Sequence, residues 1–196
     1  MSTVEIRPVT GIAVEPWLEE LAALRIEVFR DFPYLYDGSL AYERDYLDRY
    51  AQSDRSVFVL ALEFNRLVGA ATALPLEDAD QDFQAPFQQA GLPVEQVFYF
   101  GESVLQQPYR GQGIGHRFFD LREQYAADFG FDITAFCAVE RAADDPRKPA
   151  GYRSLEPFWR DRGYHPRADL KAHFAWADVG ESEPSEKTLG CWLRQA

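Results

Sequence analysis

The sequence predicts an α/β (α+β) fold in which helices flank both faces of one mixed sheet of about seven strands. Strand and helix patterns alternate along the chain instead of separating into blocks. One segment also has the order strand, helix, strand, which is the unit that joins parallel strands. The chain has 196 residues, 46% of them apolar, so it can bury one core. We therefore expect a single domain over residues 1–196.

The first half of the chain is predicted to form a strand, two helices and a β-hairpin. Pro16 suits the first turn of a helix because that position needs no backbone N–H, and apolar residues follow at helical spacing. Pro33 ends that helix, and Ser39 can cap the next one. The predicted segments are a strand near residues 4–8, helices over 16–29 and 39–50, and strands over 56–64 and 67–74.

The second half contains the clearest helix, Gly113–Phe129. Its apolar residues recur at three- and four-residue steps, which gives one buried stripe, and Gly130 is a typical helix stop. A predicted strand on each side completes a strand–helix–strand unit. The other predicted segments are a short helix over 83–90, strands over 96–105 and 132–139, a helix over 155–162, and late strands over 172–177 and 188–193.

The formal net charge of −12 restricts the classes of partner. A protein that binds nucleic acid or docks on anionic lipid needs basic surface, so neither partner is expected. An acidic cleft would attract a cationic or amine-bearing substrate, although negative charge also serves solubility alone. Residues 77–82 carry four acids and no basic residue, and they form either a solvated loop or one that faces the substrate.

Cysteine content and the N-terminal sequence favour a cytoplasmic protein. Cys137 and Cys191 each lie in an apolar stretch and cannot build a disulfide framework, so reduced thiols are predicted. Residues 1–7 lack the apolar region of a signal peptide, and no apolar run approaches the roughly 20 residues of a membrane helix. His165 and His173 have no partners at ligand spacing, so no metal is expected.

A glycine-rich turn between a strand and the clearest helix is the most informative segment. Glycine permits a tight turn and lets backbone N–H groups approach a ligand closely. The helix start adds unpaired N–H donors and the positive end of the helix dipole, so the turn predicts a phosphate or pyrophosphate site. The residues concerned are Arg110, Gly111, Gln112, Gly113, Ile114, Gly115 and His116.

Two common phosphate-binding motifs do not fit this turn. A P-loop requires Gly-Lys followed by Ser or Thr, whereas Gly115 is followed by His116 and Arg117. A dinucleotide fingerprint requires the spacing G-x-G-x-x-G, whereas Gly111, Gly113 and Gly115 follow the spacing G-x-G-x-G.

The pattern that fits is Gln or Arg, two residues, Gly, one residue, then Gly or Ala, and Arg110, Gly113 and Gly115 occupy it. Two further features match the family to which this pattern belongs, namely the predicted order of elements and the aromatic segment Phe158–Tyr164. The chain therefore resembles the GNAT superfamily of acyl-CoA-dependent N-acetyltransferases over roughly its whole length. The resemblance implies that the strand over 96–105 splays away from the strand over 132–139.

The resemblance implies that acetyl-CoA (coenzyme A) is the acyl donor and that no metal takes part. The backbone of the glycine turn would bind the pyrophosphate. The pantetheine arm would lie between the splayed strands and pair with the backbone of Ser103, Val104 and Leu105, as an added strand does.

The resemblance also implies direct attack by a primary amine, assisted by a general base and by a strand N–H that stabilises the oxyanion. Glu102 is the only carboxylate of the strand over 96–105, and it is the predicted base. Alternatively, Glu102 reaches solvent or pairs with an arginine. Tyr99 lies where many relatives place a catalytic Glu, and it either lines the site or packs.

The general acid departs from the family pattern, because Trp159 stands where many relatives carry a tyrosine and an indole is not an acid. Tyr152 and Ser154 are the substitutes, unless they act as a cap, a loop residue or a cofactor contact. The side chain of His116 either touches a phosphate or faces solvent.

The acceptor is expected to be a small-molecule or peptide amine, and homodimers are common in the family. Phe32, Tyr34 and Tyr36 either line the acceptor pocket or pack over the core. Among the arginines of the first helix region, Arg25 and Arg30 are predicted as surface charges. Two other functions remain open: a GNAT-fold protein that senses acyl-CoA without turnover, and an unrelated scaffold in which the turn is structural.

Overall fold

The computed structural model describes residues 4–195 and contains one seven-stranded mixed sheet with helices on both faces, which confirms the predicted fold class. Residues 1–3 and 196, which include the ends of the predicted domain and part of the segment that argued against a signal peptide, lie outside the described residues. The strands are β1 (Glu5–Thr10), β2 (Val57–Glu63), β3 (Arg66–Pro75), β4 (Val97–Leu105), β5 (Ile133–Val139), β6 (His165–Trp176) and β7 (Ser185–Gln195), and the helices are α1 (Leu18–Phe29), α2 (Leu40–Gln52), α3 (Gln81–Gln89), α4 (Ile114–Asp128) and α5 (Glu156–Asp161).

The strands lie in the order β1-β2-β3-β4-β5-β7-β6, and each neighbouring pair is antiparallel except β4–β5. The helix α4 provides the crossover that a parallel pair requires. One apolar cluster joins the sheet to α1 and α2, through residues such as Leu21 and Leu47. A second cluster joins the opposite face to α4, through Phe118 and Phe119. The sheet is therefore covered on both sides.

The parallel strands β4 and β5 separate after a short paired region. Their register covers only Val97–Tyr99 against Ile133–Ala135. Beyond it, β4 continues to Leu105 beside β3, while β5 continues to Val139 beside β7. The two strands thus diverge and leave a gap whose edges are backbone, as the family resemblance implies.

A β-bulge interrupts β4 at the start of this gap. Ala71 pairs with Ser103 and Ala73 pairs with Phe100, so two residues, Gly101 and Glu102, oppose Thr72 alone. Gly101 has no room for a side chain, because an added Cβ would lie 2.6 Å from both the Thr72 Oγ1 and the Tyr50 hydroxyl. The glycine therefore permits the bulge to form against α2.

The strand β6 begins at His165, seven residues before the predicted start at residue 172. Its first half is mostly exposed and polar, because β6 is an edge strand, and it contains Pro166. A register shift between Arg167 and Lys171 further breaks the alternation. The predicted start was wrong because the apolar pattern appears only in the half of β6 that packs on the core.

The prediction of two reduced thiols is also wrong. Cys137 and Cys191 stand directly opposite each other in the β5–β7 pair, with their Cα atoms 4.1 Å apart, and they form a disulfide. The sequence separation of 54 residues concealed this contact. Only the strand order brings the two positions together.

A buried carboxylate, Asp178, fixes the loop between α1 and α2. Arg141 donates to both oxygens of Asp178 and also to the carbonyl oxygens of Pro33 and Tyr34. Arg147 donates to the same carboxylate at 2.7 Å, and Lys187 Nζ lies 3.3 Å from it. Burial opposes the charge, yet these cations lower the pKa of Asp178 to about 2. This ion-pair cluster thus ties the loop between α1 and α2 to the segment between β6 and β7.

We expect Asp178→Asn to lower the free energy of unfolding at pH 7 by roughly 3 kcal/mol, because three cations lose their buried counter-charge. The folded pKa of about 2 lies below the ordinary value of 3.8, so the stabilisation is present above about pH 4 and is lost as the pH falls towards 2. Urea unfolding of both proteins at pH 7, 4 and 3 measures the difference. The exposed Asp144→Asn is the control. A difference that stays constant down to pH 3 would contradict the ion-pair account.

Candidate functional site

A buried ion-pair cluster lies beside the β4 bulge. Arg25 of α1 reaches between two carboxylates, Glu43 of α2 and Glu102 of β4, and all three are buried. Arg25 Nη1 lies 2.5 Å from Glu102 Oε2, and Arg25 Nε donates to Glu43 Oε2. Burial alone would lower the pKa of Arg25, but the carboxylates hold it well above its usual value. The prediction of Arg25 as a surface charge is wrong, and we call these three residues the Arg25 cluster.

Glu102 retains unused capacity to accept hydrogen bonds. Glu102 Oε2 is ion-paired with Arg25 at 2.5 Å, and Glu102 Oε1 is buried and accepts no hydrogen bond from residues 4–195. Two carboxyl groups share one guanidinium, so the cluster has more acceptor oxygens than donors. A group that brings a proton or a positive charge would therefore be stabilised there.

Neutral tyrosine hydroxyl groups surround the Arg25 cluster. The Tyr46 hydroxyl donates to the Tyr50 hydroxyl at 2.7 Å, and Arg25 lies over the Tyr46 ring at 4.3 Å. Burial raises the pKa of Tyr46 and of Tyr50 well above the usual value. Burial and the neighbouring Glu43 raise the pKa of Tyr36 as well. These side chains stay protonated at neutral pH and add no charge to the site.

The backbone of β4 beyond the bulge presents hydrogen-bonding groups to the gap. Gln106 N–H donates to the carbonyl of Val68 at 3.0 Å, so Gln106 and, two residues earlier, Val104 face β3. Because strand residues alternate, the N–H and C=O groups of Ser103 and Leu105 point the other way, towards β5. Arg110 Nε donates to the Leu105 carbonyl at 3.0 Å, in agreement with that direction. Of the three predicted strand contacts, Ser103 thus presents its N–H and C=O and Leu105 its N–H in the gap, while the Leu105 carbonyl already accepts from Arg110.

The glycine turn has the geometry expected of an anion site. Gly111 and Gly113 have φ values of 76° and 83°, in the region that favours glycine, and α4 begins at Ile114. The first intrahelical bond of α4 runs from Arg117 N–H to the Gly113 carbonyl at 3.3 Å. The amides of Ile114, Gly115 and His116 therefore have no partner within the helix.

The space around Gly115 shows that the turn has room for a phosphate. Its φ is ordinary, and an added Cβ would meet no atom within 4 Å, so neither backbone strain nor packing requires a glycine there. What Gly115 leaves open is the space in front of the first helical turn. That space, next to amides without partners, fits an anion such as the coenzyme A pyrophosphate.

The side chains of the turn hold it in place and leave the amides as its anion-binding groups. Gln112 donates to the Pro108 carbonyl, and Arg110 lies 3.5 Å from Asp31. The His116 ring packs edge-on against Phe158 and lies beside Arg162, so it faces α5.

The other predicted catalytic side chains form no hydrogen bond or ion pair with the described residues of the Arg25 cluster. Tyr99 is fully buried upstream of the bulge and packs on Phe83, and burial raises its pKa well above the usual value. Tyr152 is half-buried in the loop before α5, with its ring 4.8 Å from Phe32. Ser154 accepts a hydrogen bond from the Glu156 N–H and so caps α5.

Trp159 packs on Phe136 and Trp192 on the opposite face of the sheet. It belongs to the core beside α4 and has a structural role there.

The aromatic loop between α1 and α2 reaches the site through Tyr34. Burial raises the pKa of its hydroxyl to about 12, and Arg25, Glu102 and the backbone of Val139 at the end of β5 also act on that pKa. The Tyr34 ring stacks on Trp176 at 6.3 Å. Of the two open interpretations of this loop, Tyr34 lines the site and also packs.

Sequence reasoning missed Arg25 and Glu43 as site residues. Both carried a detectable signal, since Arg25 lies four residues after Leu21 and Glu43 lies four residues before Leu47, on the apolar stripes of their helices. A charge within a buried stripe indicates a buried partner. The partner itself, on β4, is visible only in the fold.

Basic side chains neutralise part of the acidic loop over residues 77–82. Arg55 pairs with Glu77 at 2.6 Å and Arg49 pairs with Asp80 at 2.6 Å, so α2 and its exit neutralise part of the loop.

Within residues 4–195, no group of three or more His, Cys, Asp and Glu side chains is arranged to hold a metal ion. In the same range no helix has the length and apolar character needed to cross a bilayer.

Comparison with known proteins gives one family and many similar folds. The sequence profile described as the Acetyltransferase (GNAT) family matches residues 21–149, which is more than half of the chain. A search of curated proteins finds no match.

Three solved structures illustrate the shared fold. A ribosomal-protein-alanine N-acetyltransferase from Brucella melitensis has a TM-score of 0.62 at 14% identity, with 98% of this chain and 99% of that chain covered. An N-acetyltransferase from Staphylococcus aureus has a TM-score of 0.62 at 12% identity, with 99% of each chain covered. The PaiA N-acetyltransferase of Thermoplasma acidophilum, in complex with coenzyme A, has a TM-score of 0.54 at 11% identity, with 99% of each chain covered.

We expect Gly115→Val to weaken coenzyme A binding at least roughly 100-fold, because the side chain would fill the space before the amides and cost two or more charge-assisted hydrogen bonds. Isothermal calorimetry with coenzyme A measures the effect. Ala127→Val, which adds the same β-branched residue to an exposed position of α4, is the control and should bind normally. Equal affinity in both variants would remove the turn from the anion site.

Proposed function

Because the chain belongs to the acetyltransferase (GNAT) family, we propose that it transfers an acetyl group from acetyl-CoA to a primary amine. The observation that carries this proposal is the buried Glu102, which lies on β4 beyond the region paired with β5 and whose Oε1 accepts no hydrogen bond from residues 4–195. Bound acetyl-CoA supplies the acetyl group as a thioester. The proposed function is enzymatic, and the acceptor is a small-molecule or peptide amine.

The proposed binding of the donor uses backbone groups in two places. The amides of Ile114, Gly115 and His116 would hold the pyrophosphate at the start of α4, within the turn over Arg110–His116. The backbone groups of Ser103 and Leu105 would pair with the pantetheine arm in the gap, while Val104 supports the strand from its β3 side. Neither place needs a basic side chain, which suits a protein with a net charge of −12.

The proposed role of Glu102 is that of general base. An amine arrives mostly as an ammonium group, which has no lone pair to attack a carbonyl, so it must first lose a proton. The unpartnered Glu102 Oε1 would accept that proton. The neutral amine then attacks the acetyl carbonyl directly. A β4 N–H that faces the gap, such as that of Ser103, would stabilise the charge that develops on the carbonyl oxygen.

Tyr152 is the proposed general acid, and Tyr99 is proposed to support the site from beneath. Burial and the nearby Glu156 raise the pKa of Tyr152, so it remains protonated at neutral pH. A thiolate can also leave without an acid, so Tyr152 is expected to matter less than Glu102. Tyr99 lies below the bulge, where its hydroxyl bonds to the backbone of Cys137 at the point at which β4 and β5 separate.

We expect Glu102→Gln to lower kcat/KM for the amine by roughly 100-fold or more, because an amide cannot accept the proton. The affinity for coenzyme A should stay nearly unchanged, since the turn is untouched. The matched variant is Glu43→Gln, which also removes one buried carboxylate from Arg25 but leaves the base in place. A larger loss for Glu43→Gln than for Glu102→Gln would transfer the role of base to Glu43.

We expect acetyl-CoA and a panel of amines to release free thiol, measured with a chromogenic thiol reagent. Acetyl-CoA should also raise the melting temperature through mass action. A thermal shift without thiol release for any amine would favour an acyl-CoA sensor over an enzyme. The absence of both responses would exclude the enzyme and the sensor together.

A further inference from the structure

A buried arginine on the α4 side of the sheet takes no part in the proposed chemistry. Arg122 is only 1% exposed, and no ion pair between described residues includes it. Its guanidinium lies 4.4 Å from the ring centre of Phe100 and 4.8 Å from that of Phe119. Burial lowers its pKa to about 10, so it remains charged at neutral pH. A buried cation without a contacting carboxylate requires an explanation.

The hydrogen bonds of Arg122 converge on the β4 bulge. Nη1 donates to the carbonyl oxygens of Thr72 at 3.2 Å and Glu102 at 3.1 Å, and Nη2 donates to Ser103 Oγ at 2.8 Å. Nε donates to the Phe118 carbonyl within α4. Arg122 therefore joins α4 to both strands at the place where the ladder between them is broken.

The guanidinium supplies the donors that the ladder lacks there. Thr72 and Glu102 face each other across the bulge, and the Glu102 N–H is occupied by Thr72 Oγ1 at 3.3 Å. Without Arg122, two buried carbonyl groups would lose a donor. No apolar residue of α4 could replace it in that role.

The hydrogen bond from Arg122 to the Glu102 carbonyl also affects the N–H of Ser103. The Glu102 carbonyl and the Ser103 N–H belong to one peptide group, and a cation that donates to the carbonyl makes the N–H a stronger donor. The Ser103 N–H points into the β4–β5 gap, as the alternation along β4 requires. The effect of the charge is thus carried through one peptide group to the edge of the site.

We propose that Arg122 is a positioning residue that fixes the β4 bulge and polarises the Glu102–Ser103 peptide, so that the Ser103 N–H binds the carbonyl oxygen of the acyl donor more strongly. The proposal rests on the proposed function in assigning the gap to the acyl donor. It adds a residue that acts from the opposite face of the sheet and touches neither the donor nor the amine.

The test measures the carbonyl of bound acetyl-CoA labelled with carbon-13 at the acetyl carbonyl, by isotope-edited infrared spectroscopy. In the native protein the carbonyl stretch should shift to lower frequency on binding. In Arg122→Met, which keeps the length of the side chain but has no donors, we expect at least half of that shift to be lost. Arg122→Lys keeps the charge and should retain more of the shift than the methionine variant.

Kinetics supply a second readout and a packing control. The kcat for the amine should fall roughly tenfold in Arg122→Met, while the affinity for coenzyme A changes less than about threefold, because the anion site is separate. Phe119→Leu removes the aromatic face beside the guanidinium but leaves its hydrogen bonds, so it should lower the melting temperature and preserve the infrared shift.

The possible outcomes separate the inference from the proposed function. A lower melting temperature with an unchanged shift and kcat in Arg122→Met would reduce Arg122 to a structural residue and overturn the proposal. If the methionine variant does not fold, Arg122→Gln, which removes the charge, takes its place, and an unchanged shift and kcat in that variant have the same meaning. If no amine is acetylated by the native protein, the proposed function fails, and the infrared shift alone still decides the role of Arg122.

Discussion

The extra residue in β4 determines on which face of the sheet each later side chain of that strand lies. Tyr99 and Val104 pack in one apolar cluster, while Phe100 and Leu105 pack in the other, so the alternation reverses across Gly101–Glu102. Without the bulge, Glu102 would point towards α4. With it, Glu102 points towards α1 and α2, where Arg25 and Glu43 lie. The candidate base and the free backbone edge of β4 are both consequences of one inserted residue.

Two arginines act on Glu102 from opposite faces of the sheet. Arg25 contacts its carboxylate from α1, and Arg122 donates to its carbonyl from α4. Burying a charge is costly unless it is paired or hydrogen-bonded, and removing one partner leaves the other exposed to the full cost. These contacts therefore couple the packing of both helix layers to the position of a single residue. The Asp178 cluster adds a third constraint, because it holds the loop that carries Tyr34 near the same site.

The elements with strong local patterns were predictable, and the contacts between distant segments were not. The β2–β3 hairpin and α4 follow from short turns and a regular apolar stripe, and the glycine turn carries its own backbone requirement at Gly113. The start of β6 lacked an apolar pattern because it lies at an exposed edge. The Cys137–Cys191 disulfide and the ion pair between Arg25 and Glu102 join segments far apart in the sequence, so only the strand order and the bulge reveal them. Local sequence patterns thus predict the elements and the glycine turn. The surroundings of the proposed base, Glu102, depend on how the strands pair.

The proposed preference for a cationic acceptor rests on the Arg25 cluster more than on the acidic loop. The net charge of −12 first pointed to such a substrate, and residues 77–82 were the apparent source. That loop is partly neutralised by Arg49 and Arg55, and exposed charges are screened by salt within about 10 Å. The Arg25 cluster is buried, and the lower effective dielectric constant there strengthens the interaction of its carboxyl oxygens with a cationic group. The acidity of the chain and the proposed binding of an anionic donor are therefore compatible, because the proposed donor site uses backbone amides and the proposed acceptor site uses the buried Glu102.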